Sequence, residues 1–149
     1  MSEEKTLTPA QRDDLRVIAA MIIPASSEYN VPGADDPAIQ ADMTATLGRD
    51  TAVVSTALDH LARLAGKPLA ALDADRREAV AKEFRASGGT PAATLTRVVL
   101  QCYYRDDRVL RSLGLELRPP FPQGYVLELG DWSLLDPVKK RLPSLRRTS

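Results

Sequence analysis

The sequence predicts an all-α fold: an irregular bundle of four or five helices, followed by a long extended tail rich in proline and aromatic residues. Three observations predict it. Apolar residues recur at intervals of three and four through most of the first 114 positions. Each such run is bounded by residues that start or stop helices, Thr or Asp before it and Gly or Pro after it. The pattern then ends at Gly114, and the remaining segment holds five of the eleven prolines and three of the seven aromatic residues.

Taken in order, Thr8 is the first N-cap. Pro9 stands at the first helical position and Gln11 completes a Thr-x-x-Gln capping box. Leu15, Ile18, Ala19 and Ile22 share one face, and Pro24 stops the helix. Residues 24–36, PASSEYNVPGADD, read as a loop because Pro, Ser, Asn and Gly each favour turns. Asp36 caps a second helix with Pro37 at its first position, and Ile39, Met43 and Leu47 lie four apart on one face. A third helix covers about 50–65, with Val53, Val54, Ala57, Leu58, Leu61 and Leu64 inward and Gly66 as its C-terminal glycine. Asp73 caps a helix over about 74–86 whose inward residues are Val80 and Phe84, and Gly88-Gly89 ends it. Thr90-Pro91 opens the longest run, expected as a single helix to about Leu113. Its face carries Leu95, Val98, Val99, Cys102, Tyr103, Val109 and Leu113. In the tail, Tyr125, Leu127 and Leu129 alternate with Val126 and Glu128, which is the pattern of one short strand. The expected organisation is therefore a helical domain over 1–114 and an extended tail over 115–149.

The bulk properties fit one self-sufficient core. A chain of 149 residues with 44% hydrophobic and 27% charged residues buries enough surface, roughly 68–70% of its unfolded area, to need no staple. Twenty basic residues balance twenty acidic ones, so no overall field draws the protein to nucleic acid or to an anionic membrane. Basic residues do crowd the end, at Lys139, Lys140, Arg141, Arg146 and Arg147, as a solvated tail or as an arm for an acidic surface. The single cysteine rules out an internal disulfide. The longest apolar run, Val17 to Ile23, is far short of the ~20 residues that span a bilayer. The polar start, MSEEKTLTPAQRDD, resembles neither a secretory nor a twin-arginine signal, so a cytoplasmic protein is expected.

No residue pattern points to catalysis. His60 is the only histidine and sits beside Leu58 and Leu61. Acid–base work would need a placed nucleophile or carboxylate beside it. Cys102 falls on the apolar face of a helix, where a thiol acts as a small hydrophobe. One His and one Cys do not make an ordinary zinc site. The pairs Asp13-Asp14, Asp35-Asp36 and Asp106-Asp107 are adjacent in sequence and do not face each other on a helix, so they read as caps and surface charges. Glycine-rich phosphate loops of either common kind are missing from the sequence. The expectation is a protein that is not an enzyme and binds no cofactor or metal itself.

Two stretches carry a resemblance. LRVIAAMIIPASSEYNVPGADDPAI, residues 15–39, resembles the small subunit of gluconate 2-dehydrogenase, often called subunit 3. PPFPQGYVLELGDWSLLDP, residues 119–137, resembles the C-terminal tails of short helical proteins related to that subunit. Members of that family pair with large flavin-dependent oxidoreductases of the glucose-methanol-choline (GMC) class. The resemblance implies that a partner subunit carries FAD and oxidises an alcohol or sugar. The small subunit would add no catalytic residue, and would stabilise, mature or help export the large one. Many members begin with a twin-arginine signal; its lack here favours a cytoplasmic complex. Haem belongs to a separate subunit in such systems, and no C-x-x-C-H occurs here.

The residues themselves point the same way, towards a partner. An aromatic, proline-rich segment loses little entropy on ordering, and aromatic anchors dominate interface energetics. The expected partner-binding residues are Pro24, Tyr29 and Pro32 in the loop, and Phe121, Tyr125, Leu127, Trp132 and Leu135 in the tail. The alternative on the same residues is a helical adaptor or chaperone for an unrelated client.

Overall fold

The computed structural model describes residues 6–117 and 130–145, with side chains described as far as Lys140. The chain falls into two compact units, Met1–Leu117 and Arg118–Ser149.

The described part of the first unit is helical, as the periodicity requires. Its helices are α1 (Pro9–Ile22), α2 (Pro37–Thr46), α3 (Thr51–Ala65), α4 (Ala74–Ser87), α5 (Gly89–Tyr103) and α6 (Asp107–Ser112). Short 3₁₀ turns, Gly48–Asp50 and Leu69–Ala71, precede α3 and α4. The caps are the ones the sequence announces. Thr8 and Gln11 exchange side-chain and backbone hydrogen bonds at 3.0 and 3.2 Å. Asp36 accepts from the Ala38 and Ile39 amides, and Asp73 from the Arg76 amide. Each satisfies N–H groups that the first helical turn leaves without a partner.

α3 is the centre. Val54, Ala57, Leu58 and Leu61 are almost wholly buried, and α1, α4 and α5 all pack against this helix. Leu15, Ile18 and Ala19 of α1, Val80 and Phe84 of α4, and Leu95, Val98 and Val99 of α5 complete the core around it. α2 packs on α5 through Ile39 and Met43. At the junction of α4 and α5, Gly88 is buried, and a Cβ there would lie 2.6 Å from the Phe84 carbonyl oxygen. The two helices turn so tightly that only glycine fits.

Polar side chains tie the elements where apolar packing ends. The buried Asp14 carboxylate of α1 accepts the Leu69 amide at 2.9 Å, which fixes the 3₁₀ turn between α3 and α4. Arg77 donates to the carbonyls of Leu69 and Ala70, both at 2.9 Å, and holds the same turn from α4. Gln11, beyond its capping role, donates to Ser55 Oγ and Asp59 Oδ1 of α3 at 2.9 and 2.8 Å.

One expectation is corrected. The single helix expected from Thr90 to Leu113 is two, α5 and α6, separated at Tyr104–Asp106. The reason is Asp106, whose side chain accepts the Arg108 amide at 2.9 Å and so starts a new helix. Capping chemistry thus outranks an apolar face that runs on through Val109. Of the tail expected over 115–149, residues 115–117 and 130–145 are described. In the second unit, Trp132–Leu135 form a 3₁₀ turn and Asp136–Leu145 form α7. Asp131 begins this stretch by accepting the Ser133 amide at 3.0 Å, and hydrogen bonding to Ser133 holds its carboxyl below the usual range. The strand expected at 125–129 lies outside the described residues.

The central role of α3 makes a stability prediction. Leu58→Ala removes a side chain with 1% exposure from the point where the helices meet. Urea denaturation is expected to show a loss of about 2–5 kcal/mol. A midpoint close to the parent's would contradict this placement of the core.

Candidate partner-docking face

The loop between α1 and α2 is built to hold one shape. The Ala34 amide donates to the Ile23 carbonyl at 2.9 Å, closing the loop at its base. Ser26 and Val31 exchange backbone hydrogen bonds at 3.1 and 3.0 Å, a single antiparallel bridge. Between them the chain turns through Asn30, at φ 51°, a left-handed value that Asn tolerates better than most residues. Gly33 is buried, and a Cβ there would lie 2.8 Å from the Ala25 amide nitrogen, so the two limbs close only over glycine. The bundle grips the loop from outside as well. The Tyr103 hydroxyl of α5 donates to the Pro32 carbonyl at 3.1 Å, and Gln40 of α2 donates to the Ala34 carbonyl at 2.8 Å.

This geometry decides where the expected loop residues stand. Tyr29 lies in the turn with 66% of its surface exposed. Pro24 is exposed beside the loop's base, whereas Pro32 is half-buried with its carbonyl held. In the second unit, Trp132 is 67% exposed and Leu135 41%. Phe121, Tyr125 and Leu127 lie outside the described residues.

An ionic cluster braces the far end of the loop. Arg108 grips Asp36 with both terminal nitrogens, at 3.0 and 2.8 Å, and reaches Asp106 from Nε and Nη2, both at 3.0 Å. One guanidinium thereby links the caps of α2 and α6. Hydrogen bonds from Arg108 hold both carboxyls below the usual carboxylate range, and the two carboxylates raise the guanidinium in return. Nearby, Arg105 donates to Asp42 and Thr46 of α2.

The residues with reactive side chains stand in ordinary packing. Cys102 is buried, and burial pushes its thiol up, away from the thiolate that would be needed for attack. His60 Nε2 lies 3.5 Å from Ser87 Oγ, and its ring meets Phe84 edge-on with centroids 5.7 Å apart. The Ser87 hydroxyl also donates to the Glu83 carbonyl at 2.8 Å, and its contact with His60 joins α3 to α4. Among the described residues, no group of three or more His, Cys, Asp or Glu side chains is placed to hold a metal ion. Among them, too, no helix is long and apolar enough to cross a membrane.

A groove of about 1130 Å³ is bordered by α1, α4 and α5. Ile18, Met21 and Ile22 line it from α1, Phe84 from α4, and Ala92 and Leu100 from α5. Met21 and Leu100 are large apolar residues left 36% and 39% exposed. No family model, curated protein or solved structure matches this chain.

Sequence reasoning did not find the groove, although a signal was available. Met21 and Leu100 stand off the core-facing stripes of α1 and α5, so each helix carries more apolar surface than its own packing consumes. Such a surplus marks a face with further business.

Two substitutions test the bracing. Tyr103→Phe removes only the hydroxyl that grips the Pro32 carbonyl. It is expected to cost about 0.5–1.5 kcal/mol and to speed amide exchange at Ser26 and Val31. Unchanged exchange there would mean the loop holds itself. Arg108→Gln tests the ionic cluster. Carboxyls with depressed folded pKa values stabilise the protein above the unfolded range, about pH 4, and lose that contribution as pH falls through the folded values. Because Arg108 is 44% exposed at its side chain, solvent screening limits its worth at pH 7 to about 1 kcal/mol. Urea midpoints of parent and variant are expected to differ at pH 7 and to converge near pH 2. A difference that persists at low pH would assign the effect to packing of the side chain.

Proposed function

We propose that this chain is a non-catalytic small subunit that stabilises or matures a larger FAD-dependent oxidoreductase of the GMC class, acting on an alcohol or sugar. Its partner in this reading is the flavoprotein subunit, which carries the FAD, and the chain's own contribution is a binding surface. The resemblance of residues 15–39 and 119–137 to the small-subunit family names the partner class. The observation that carries the reading is the loop over 23–36. It is cross-braced by backbone bonds, by Tyr103 and by Gln40, yet it ends in a turn that offers Tyr29 to solvent. A surface loop with no task has no need of such bracing. A loop fixed before it meets a partner avoids part of the ordering cost of association, and an exposed tyrosine is a residue type that anchors interfaces.

Continuity with the groove supports the same reading. Met21 and Ile22 line it, and the chain leaves α1 there to enter the loop. Trp132 and Leu135 of the second unit supply further exposed apolar surface of the kind that partners cover.

Co-expression with a GMC-class flavoprotein of the same organism tests the proposal. The two are expected to elute together on size exclusion, and the flavoprotein to lose solubility or activity when expressed alone. Tyr29→Ala is expected to weaken association about tenfold without lowering the thermal midpoint. Separate elution, with full flavoprotein activity in the absence of this chain, would refute the proposal. Co-purification with an unrelated client instead would favour the adaptor reading.

A further inference from the structure

The groove bordered by α1, α4 and α5 has a chemistry that selects its occupant. Its lining includes small groups, among them Ala92, Ala93 and Thr96 of α5. The Thr96 hydroxyl donates to the Ala92 carbonyl at 2.9 Å, so that side chain makes no polar demand on a ligand. Larger apolar side chains, Met21, Ile22 and the buried Phe84, line it as well. At about 1130 Å³ the groove exceeds the roughly 300–1,000 Å³ of pockets for drug-sized ligands. Small residues along α5 admit a second helix at close range, at the 8–10 Å axial separation usual for packed helices. The fifteen residues of α5 give a track roughly 22 Å long at 1.5 Å per residue, about four helical turns.

The edges are charged unevenly. On α4, Lys82 and Arg85 lie three apart on the rim, with Glu78 one turn before them. Neither Lys82 nor Arg85 enters an ion pair among the described residues. Arg97, on the α5 side, is already engaged by Asp50 at 2.8 Å and by Gln101 at 2.8 Å. The unspent positive charge therefore lies along the α4 edge, towards its C-terminal half.

We propose that this groove holds one amphipathic helix of the partner subunit, about four turns long. Its apolar residues, spaced i, i+3 or i+4, i+7, seat over Ala92, Ala93 and Thr96, and its carboxylates face Lys82 and Arg85. This inference rests on the reading of the chain as a docking subunit, but not on the partner being a flavoprotein. The mode is a helix laid apolar-side down into a groove, with the charged edge fixing its orientation and excluding basic helices.

The test uses the full-length chain and two fluorescein-labelled 18-residue amphipathic peptides. They share one leucine-rich face and differ only in bearing Glu or Lys along the edge that meets α4. Fluorescence anisotropy is expected to show the Glu peptide binding at least about tenfold more tightly at low salt. The double variant Lys82→Glu/Arg85→Glu, changed only at exposed positions, is expected to reverse that preference. Ala93→Trp, also exposed, is expected to fill the groove and weaken both peptides about tenfold or more, with circular dichroism showing the helices intact. Equal affinities, or affinities indifferent to Ala93→Trp, would overturn the proposal. So would sodium oleate occupying the groove while neither peptide binds, or a self-associated dimer that Ala93→Trp dissolves. Should Ala93→Trp leave flavoprotein co-elution unchanged, the groove assignment falls while the subunit reading stands. Should the Glu peptide bind as expected while no flavoprotein co-elutes, the groove stands and the partner class falls.

Discussion

The burial of one helix stripe, Val54, Ala57, Leu58 and Leu61 of α3, is the constraint on which the rest of the first unit depends. α1, α4 and α5 each spend their core-facing residues on it. Helices arranged around a common strut need not close every surface between themselves, and the groove is the surface left open. The same arrangement fixes the two ends of the candidate face. α1 reaches the groove with Met21 and Ile22 and then releases the chain into the loop. α5 lines the groove with Leu100 and, one turn later, grips the loop through Tyr103. Packing thus positions the parts of the proposed docking face from the core.

Hydrogen bonds then convert position into rigidity. Asp14 to the Leu69 amide, Gln11 to Ser55 and Asp59, Tyr103 to the Pro32 carbonyl and Arg108 to Asp36 all join elements far apart in sequence. Each satisfies groups that would otherwise lose hydrogen bonds to water on folding. Among the described residues, no buried side-chain nitrogen or oxygen is left without a partner. A surface held this way would reorganise little in the proposed association, and small reorganisation favours tight binding at modest area.

Much of the helical unit was legible in the sequence because its signals are local. The Thr8–Gln11 box, the Asp36 and Asp73 caps and the apolar stripe of α3 act within one or two turns and survive in the fold. Two local signals competed at Asp106, and the cap prevailed over the apolar periodicity. The loop's role was legible only in part. Its turn residues announce a loop, but nothing local says that Tyr103 and Gln40 hold it, since those partners lie on other helices. The groove was least legible. It arises from three helices that meet through α3, and no single window of sequence contains it. The turn and helix at 132–145 follow a cap at Asp131 that the abundance of prolines nearby obscured.

The account stands or falls on where a partner touches the helical unit. Hydrogen–deuterium exchange on the full-length chain, free and in complex with the proposed flavoprotein partner, measures this directly. The account predicts slowed exchange in the turn around Tyr29 and along the groove-facing edges of α4 and α5, with the α2 amides unchanged. Slowing confined to α2 and α6, or no slowing in the first unit at all, would contradict it.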